Sequence, residues 1–287
     1  MIAFSIGSVD IHRYGIMYLL AFGLGYIFAH SIKNRSLWNQ TPNLQKILQH
    51  KIDDIIFIIF LWVMIGGRAG HILIYDFDYF MQNPGDIAAF RKWGMSFIGW
   101  LIGVVIAIIG RTRKQWCTRA ETKSIGDIIL SFAPAGIFLG RIGNFLNQEL
   151  YGILVPDNMR NLPIWLTNIL QQTHIRHIYD RIDTALRVNT NMLAAIGEWL
   201  ILFAVGQYLL HRQKKTNTVK SGQIVGTFLL LYSTIRFLLE YLRQDSQAEF
   251  IAYFSKSQYF FILWAIIGII MLITYSIRSH HHDAKIS

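Results

Sequence analysis

Two groups of polar residues interrupt stretches of sequence that are otherwise apolar. The first is Gly140-Arg141-Ile142-Gly143-Asn144-Phe145-Leu146-Asn147-Gln148-Glu149-Leu150-Tyr151-Gly152. On a helix, Arg141, Asn144 and Gln148 share one face at i, i+3, i+7. Gly136, Gly140, Gly143 and Asn147 share an adjacent face that would let another backbone approach. A guanidinium fork with amides beside it suits a phosphate, because its paired N–H donors match two phosphate oxygens. The second group is Tyr232, Arg236, Glu240 and Arg243, on one helical stripe at i, i+4, i+8, i+11. Arg236 and Glu240 can pair, which lowers the burial cost of both. As chemistry, this is a second cationic clamp with a carboxylate able to orient a partner or accept a proton. A third arginine, Arg68, follows Gly66-Gly67, with His71 one turn later as a candidate base. The structural alternative is a glycine packing seam and an ion pair that holds helices together. A charge at mid-membrane costs about 2.5–3.5 kcal/mol even on the milder scales, so the density of charge in these stretches favours function for Arg141 and Arg236.

The elements that must carry these residues follow from composition. The chain has 287 residues, 53% hydrophobic and only 15% charged, with a mean hydropathy of +0.36. Soluble domains carry about 25% charged residues. Apolar runs at 15–32, 54–75, 94–110, 126–146, 192–210, 221–241 and 258–277 approach the roughly 20 residues that cross a bilayer. These runs predict an all-α integral membrane protein of seven transmembrane helices, with 1–287 as a single polytopic domain and a long outer-face segment at about 147–190. The first run has no basic segment before it and no small-residue cleavage site after it, so it reads as a retained helix. Lys and Arg number 15 on one side of the runs and 9 on the other, with three inside. The richer side is cytoplasmic, which places the N-terminus outside and the C-terminus in the cytoplasm. Leu162 to Leu166, with Trp165, suits the membrane interface.

The net charge of +10 is spread over short loops between apolar runs, where it faces anionic headgroups and sets topology. No nucleic-acid-binding motif accompanies it. The single cysteine, Cys117, excludes an intrachain disulfide framework and a thiolate metal cluster. The run His280-His281-His282 reads as a solvated tail. No cofactor or metal is called for.

At these residues the sequence resembles the phosphatidylglycerol–prolipoprotein diacylglyceryl transferase family of bacterial inner membranes. Gly140 to Gly152 follows the family pattern G-R-x-G-N-F-x-N-x-E-x-x-G throughout. Further matches are Phe4-Ser5-Ile6-Gly7, His12, Tyr14-Gly15, Gly66-Gly67-Arg68, Gly94-Met95-Ser96-Phe97, Asp127, Ala133-Pro134, Arg236-Phe237 and Arg243-Gln244. The resemblance implies transfer of the diacylglyceryl group of phosphatidylglycerol to the lipobox cysteine in a prolipoprotein signal peptide. It implies that Arg141 binds the lipid headgroup in a pocket shaped by Asn144, Asn147, Glu149, Gly152 and Arg243. It also implies that Arg236, Glu240, Tyr14 and Tyr232 belong to the reaction centre. The nucleophile is the substrate's, so no internal cysteine is needed.

Two departures from the family pattern stand beside these matches. After Gly94-Met95-Ser96-Phe97 the family has His-Gly-Gly, and this chain has Ile98-Gly99-Trp100. The family's His-Pro-x-Gln-x-Tyr-Glu stretch reads Met192-Leu193-Ala194-Ala195-Ile196-Gly197-Glu198, keeping only the glutamate. A catalytically impaired paralogue that binds anionic phospholipid or lipoprotein precursors is therefore the alternative function. A channel or transporter has less support, since neither repeat symmetry nor paired broken helices is visible.

Overall fold

The computed structural model describes residues 2–6, 9–33, 42–88, 94–114, 117–157, 160, 162–173, 175–176, 182–216, 220–244 and 250–283. Helices dominate it. The hairpin β1 (Ile2–Ile6) and β2 (Val9–His12) leads into α1 (Arg13–Lys33), followed by α2 (Pro42–His50), α3 (Ile52–Ile74), α4 (Phe77–Gln82), α5 (Phe97–Lys114) and α6 (Arg119–Leu146). The connection after α6 holds α7 (Ile164–Leu170), β3 (Gln171–Gln172), β4 (Ile175–Arg176), β5 (Ile182–Asp183) and β6 (Arg187–Val188). Then come α8 (Thr190–Ile196), a π-helical turn at Gly197–Ile201, α9 (Leu202–Thr216), α10 (Gln223–Glu240), β7 (Phe250–Ile251), β8 (Phe254–Ser255) and α11 (Lys256–Asp283). The helix of α11 extends through the run His280 to His282, which the sequence reads as a solvated tail.

Among the described residues, five helical stretches are long and apolar enough to cross a membrane: Ile52–Ile74, Arg119–Leu146, Thr190–Gln213, Gln223–Glu240 and Lys256–Thr274. Gly15–Phe28 is apolar but shorter. In α5 the basic residues Arg111, Arg113 and Lys114 occupy the last turn. Its apolar part, 97–110, is therefore shorter than the roughly 20 residues of a full span.

The chain clusters into two compact units, Gly25–Gly126 and a second made of Met1–Leu24 with Asp127–Ser287. Within the first unit, α3 and α5 cross at glycines. A Cβ on Gly99 would collide with the carbonyl oxygen of Gly66 and sit 2.7 Å from Gly70 Cα. Helices associate in lipid through such close backbone approach, because apolar side chains gain little from leaving lipid tails. Ser96 begins α5: its hydroxyl accepts the Gly99 N–H at 3.3 Å, and its own N–H reaches Gly67 O at 2.8 Å. Ile98 is buried beside this crossing, at 4% exposure.

Within the second unit, α10 is held at its start by a residue of α6. Both carboxylate oxygens of Asp127 accept hydrogen bonds there. Oδ2 takes the N–H of Gly222 at 2.6 Å and the Gln213 amide at 3.1 Å, and Oδ1 takes the N–H of Val225 at 3.0 Å. The opening N–H groups of a helix have no partner within it, and in an apolar surround each would be costly to leave bare. Farther along α10, Tyr232 is fully buried between Phe228, stacked at 5.7 Å, and Phe261, edge-on at 6.2 Å.

Candidate active site

Three helical segments of the second unit bring five ionic side chains together out of water. Arg141 comes from the last turns of α6, Glu198 from the π turn, and Arg236 and Glu240 from the end of α10, with Arg243 just beyond. Glu198 is the centre of this cluster. It is 0% exposed and takes Arg141 in a two-point grip, Nε to Oε2 at 3.0 Å and Nη2 to Oε1 at 3.3 Å. Its Oε1 also lies 3.5 Å from Arg236 Nε. Arg236 reaches on to Glu240 at 3.6 Å, and Glu240 Oε2 accepts Arg243 Nη1 at 3.0 Å. The other Glu240 oxygen accepts the Ser255 hydroxyl at 3.4 Å. Arg236 lies over the Phe261 ring at 5.5 Å, and the buried Tyr232 side chain adjoins the cluster.

The local sequence explains how these groups meet. The π turn, with its wider i→i+5 bonding, changes which side chains face inward in the middle of an apolar helix, a device common at functional sites. Removing the partner of a buried ion leaves an uncompensated charge at a cost of about 3–5 kcal/mol, so the five groups hold one another in place. Three guanidiniums against two carboxylates leave one positive charge in a dry setting. That excess matches a single phosphodiester anion.

The turn after α6 presents the remaining motif residues. The helix ends at Leu146, so Gln148 leaves the face it was expected to share with Arg141. Gln148 and Leu150 both have left-handed backbones, at φ 58° and 54°. For residues with a side chain this costs roughly 1–3 kcal/mol each. Two hydrogen bonds from α8 hold the strained turn: Asn191 donates to Glu149 O at 2.6 Å and Thr190 to Leu150 O at 2.5 Å. Asn147 is buried, and its side-chain oxygen takes no hydrogen bond among the described residues. Asn144 is half-buried and its carbonyl accepts the Glu149 N–H. The Glu149 side chain is exposed.

Gly152 is wedged against backbone on two sides. A Cβ there would collide with the Val188 carbonyl oxygen and sit 2.9 Å from that of Leu242. This packing allows Gly152 to bridge to Arg243 and its N–H to reach Val188 O at 3.1 Å. The motif turn is thereby tied to the segment that carries Arg243.

The structure thus brings Arg141, Tyr232, Arg236, Glu240 and Arg243 into one cluster, with Asn144, Asn147, Glu149 and Gly152 in the adjoining turn. Tyr14 is the second residue of α1, and its side chain lies outside the described residues. The expected glycine seam on α6 is largely open. Among the described residues, Gly140 has nothing near its Cβ position, and Gly136 has Ala21 at 3.8 Å. Sequence reasoning missed Glu198 as a site residue, although it was the one polar residue left in the altered 192–198 stretch.

Arg68 and His71 belong to the other unit. Arg68 donates to the carbonyls of Ile87 at 2.9 Å and Asp86 at 2.6 Å, and lies over the Phe80 ring at 4.9 Å. It therefore ties the 3₁₀ turn at Pro84–Ala88 to the end of α3. His71 Nε2 lies 3.0 Å from Asp76. Among the described residues no group of three or more His, Cys, Asp or Glu converges as a metal site.

The sequence profile of the family described as prolipoprotein diacylglyceryl transferase matches residues 1–274. The chain belongs to this family. Its relatives include phosphatidylglycerol–prolipoprotein diacylglyceryl transferases from three bacteria. That of Pseudoalteromonas translucida is 31% identical over 272 residues, covering 93% of this chain and 89% of the relative. The Proteus mirabilis protein is 31% identical over 282 residues, covering 95% and 90%. An Escherichia coli O1:K1 protein is 31% identical over 287 residues, covering 95% and 91%. The family match runs through both compact units, so the cluster around Glu198 and the α3–α5 crossing both lie in family sequence.

Proposed function

We propose that this chain transfers the diacylglyceryl group of phosphatidylglycerol to the lipobox cysteine of prolipoproteins. The observation that carries this reading is the buried cluster of Arg141, Glu198, Arg236, Glu240 and Arg243, with its single excess positive charge. A phosphatidylglycerol headgroup brings one negative charge and neutralises it. The relatives' names supply the two substrates, phosphatidylglycerol and prolipoprotein.

In the reaction, the substrate's cysteine sulfur attacks the glycerol carbon that carries the phosphate. A C–S bond forms, the C–O bond breaks, and glycerol 1-phosphate leaves with the electron pair. The proton released by the thiol balances the second charge that appears on the phosphate. Guanidinium donors fixed in a dry site stabilise that developing charge without reorganising. Arg141 and Arg236 are the leading donors in this role, with Glu198 holding both in alignment and Glu240 holding Arg236 and Arg243. Tyr232 and Tyr14 complete the reaction centre, and Asn144, Asn147, Glu149 and Gly152 shape the headgroup pocket. Attack requires thiolate, and the excess positive charge favours that form.

The wider setting completes the reading. The chain sits in the bacterial inner membrane with seven spanning helices, its N-terminus outside and its C-terminus in the cytoplasm. The Lys and Arg excess on one set of loops supports that orientation. The first and third apolar runs are the two shorter spans. The 147–190 connection then lies on the outer face, where prolipoproteins are presented. The test is a transfer assay with full-length protein, phosphatidylglycerol vesicles and a lipobox peptide. Wild type is expected to give lipidated peptide and Arg141→Ala to give none. Absence of product with wild type refutes the proposal.

A further inference from the structure

The start of α11 reaches the ionic cluster through two side chains that the proposed reaction leaves unused. Ser255 ends β8 and immediately precedes α11, which is the N-cap position. Its hydroxyl oxygen accepts the N–H of Gln258 at 3.2 Å, and the Gln258 side-chain oxygen accepts the N–H of Ser255 at 2.9 Å. This reciprocal Ser-x-x-Gln pair is a capping box, which satisfies backbone donors that the first turn of a helix leaves without partners. Both residues are fully buried.

Each side chain of the box keeps a donor in reserve, and both donors go to the end of α10. A serine hydroxyl has a single proton. With its oxygen turned to the Gln258 N–H, Ser255 sends that proton to Glu240 Oε1 at 3.4 Å. The Gln258 amide donates to Phe237 O at 3.2 Å. That carbonyl sits where α10 tightens: the Tyr241 N–H, its i+4 donor, bonds Leu238 O at 3.3 Å. The box therefore fixes two points on the last turn of α10, one on its backbone and one on the Glu240 carboxylate.

That carboxylate is divided between two sets of partners. Oε2 lies 3.0 Å from Arg243 Nη1 and 3.6 Å from Arg236 Nη2, and Oε1 faces Ser255. The terminal torsion of a glutamate is soft, so the side chain alone does not set the plane of its carboxylate. A donor at Oε1 sets it from the far side and keeps Oε2 turned toward both guanidiniums. We infer that Ser255 is a positioning residue for the transfer reaction, its hydroxyl holding Glu240 in the rotation that aligns Arg236 and Arg243 with the departing phosphate. This role rests on the transferase reading and extends it to the segment that opens α11. Ser255 acts through Glu240, and Gln258 directs its proton.

The experiment separates positioning from capping. Full-length protein is assayed with phosphatidylglycerol vesicles and a lipobox peptide, well below the melting temperature of each variant. Ser255→Ala removes the donor to Glu240. Losing an oxyanion donor outright costs roughly 10²–10³ in rate, and here the guanidiniums stay but lose alignment, so kcat should fall about tenfold. The KM for phosphatidylglycerol should stay within about twofold, because alignment counts more in the transition state than in the ground state. Ser255→Thr keeps both the cap and the hydroxyl, and its kcat should stay within about threefold of wild type. Ser255→Gly covers the case in which the alanine variant does not fold. Glycine is a tolerated N-cap and also lacks the hydroxyl, so its kcat should fall as for alanine. A role in capping alone predicts a lower melting temperature with kcat unchanged. A folded, hydroxyl-free variant with wild-type kcat therefore overturns the inference. So does a tenfold loss in Ser255→Thr, or a rise in KM with kcat level, which would place Ser255 in headgroup binding. Wild type that transfers nothing overturns the transferase reading and the role of Ser255 with it. Wild type that transfers no better than Ser255→Ala overturns the positioning role alone.

Discussion

Replacing Glu198 with glutamine keeps the shape of the side chain and removes its charge. In wild type this carboxylate is 0% exposed and faces two guanidiniums, with Arg141 contacts at 3.0 and 3.3 Å and Arg236 at 3.5 Å. The substitution raises the excess positive charge of the cluster from one to two. Breaking a buried pair from one side costs about 3–5 kcal/mol. At about 2–4 °C per kcal/mol for a chain near this size, the melting temperature should fall by about 10 °C. The effect on chemistry has a different sign pattern. Extra positive charge does not weaken attraction for an anionic lipid, so the KM for phosphatidylglycerol should stay level or fall. Arg141 loses its two-point grip, and misplacing one donor to a developing oxyanion costs roughly 10²–10³ in rate. A turnover loss of at least about 100-fold, or about 2.7 kcal/mol in the barrier, is therefore expected. The assays are peptide lipidation by chromatography, run well below the variant's melting point, and melting by tryptophan fluorescence. A Glu198→Gln protein within threefold of wild-type turnover and within about 2 °C of its melting point would show that Glu198 does not organise the cluster.

Other substitutions probe the scaffold. Asp127→Ala strips the partners from two α10 backbone N–H groups and the Gln213 amide; it should destabilise by about 3 kcal/mol or more, and a melting curve matching wild type would refute this. Ile98→His places a polar ring beside the buried α3–α5 crossing, costing about 1–3 kcal/mol. Its turnover is expected not to rise, and a clear rise would mean that the thiol proton is handled there. Cys117 lies outside the spanning segments, and its thiol is held above the ordinary value of 9.0, first by burial and then by the Glu121 carboxylate. The thiol therefore stays protonated through neutral pH. Maleimide labelling at pH 7.5 should be slower than for a free cysteine in the same detergent, and Glu121→Gln should speed it; labelling as fast as free cysteine contradicts this.

Much of the helical architecture was legible because a bilayer-length apolar run leaves the backbone few alternatives to a helix. The runs at 54–75, 126–146, 192–210, 221–241 and 258–277 all fall in long helices. Arg236 and Glu240 were legible as a pair because their spacing is local, one helical turn. The partner of Arg141 was not, since Glu198 lies 57 residues away in a stretch that reads as plain apolar helix. Nothing in Ile196-Gly197-Glu198-Trp199 announces a π turn. The end of α6 was equally hidden. Asn147, Gln148 and Glu149 continue a plausible helical face, and the two bonds from α8 that help hold the left-handed turn come from residues 40 and 42 positions away. Arg68 was read with equal weight as a structural and as a functional cation, and two of its donors go to the carbonyl oxygens of Ile87 and Asp86.

Full burial of Glu198 has a consequence for traffic through the site. On the proposed function, any anion that enters meets guanidiniums already engaged by an internal carboxylate, so binding proceeds by exchange of partners and not by filling an empty clamp. Inorganic phosphate and sulfate must win the same competition without the acyl chains that hold a lipid in place. The same wall carboxylate then re-engages Arg141 as the detached glycerol phosphate departs. On the proposed function, Glu198 works in this sense as a built-in eluent, which keeps the guanidinium cluster from retaining its own product.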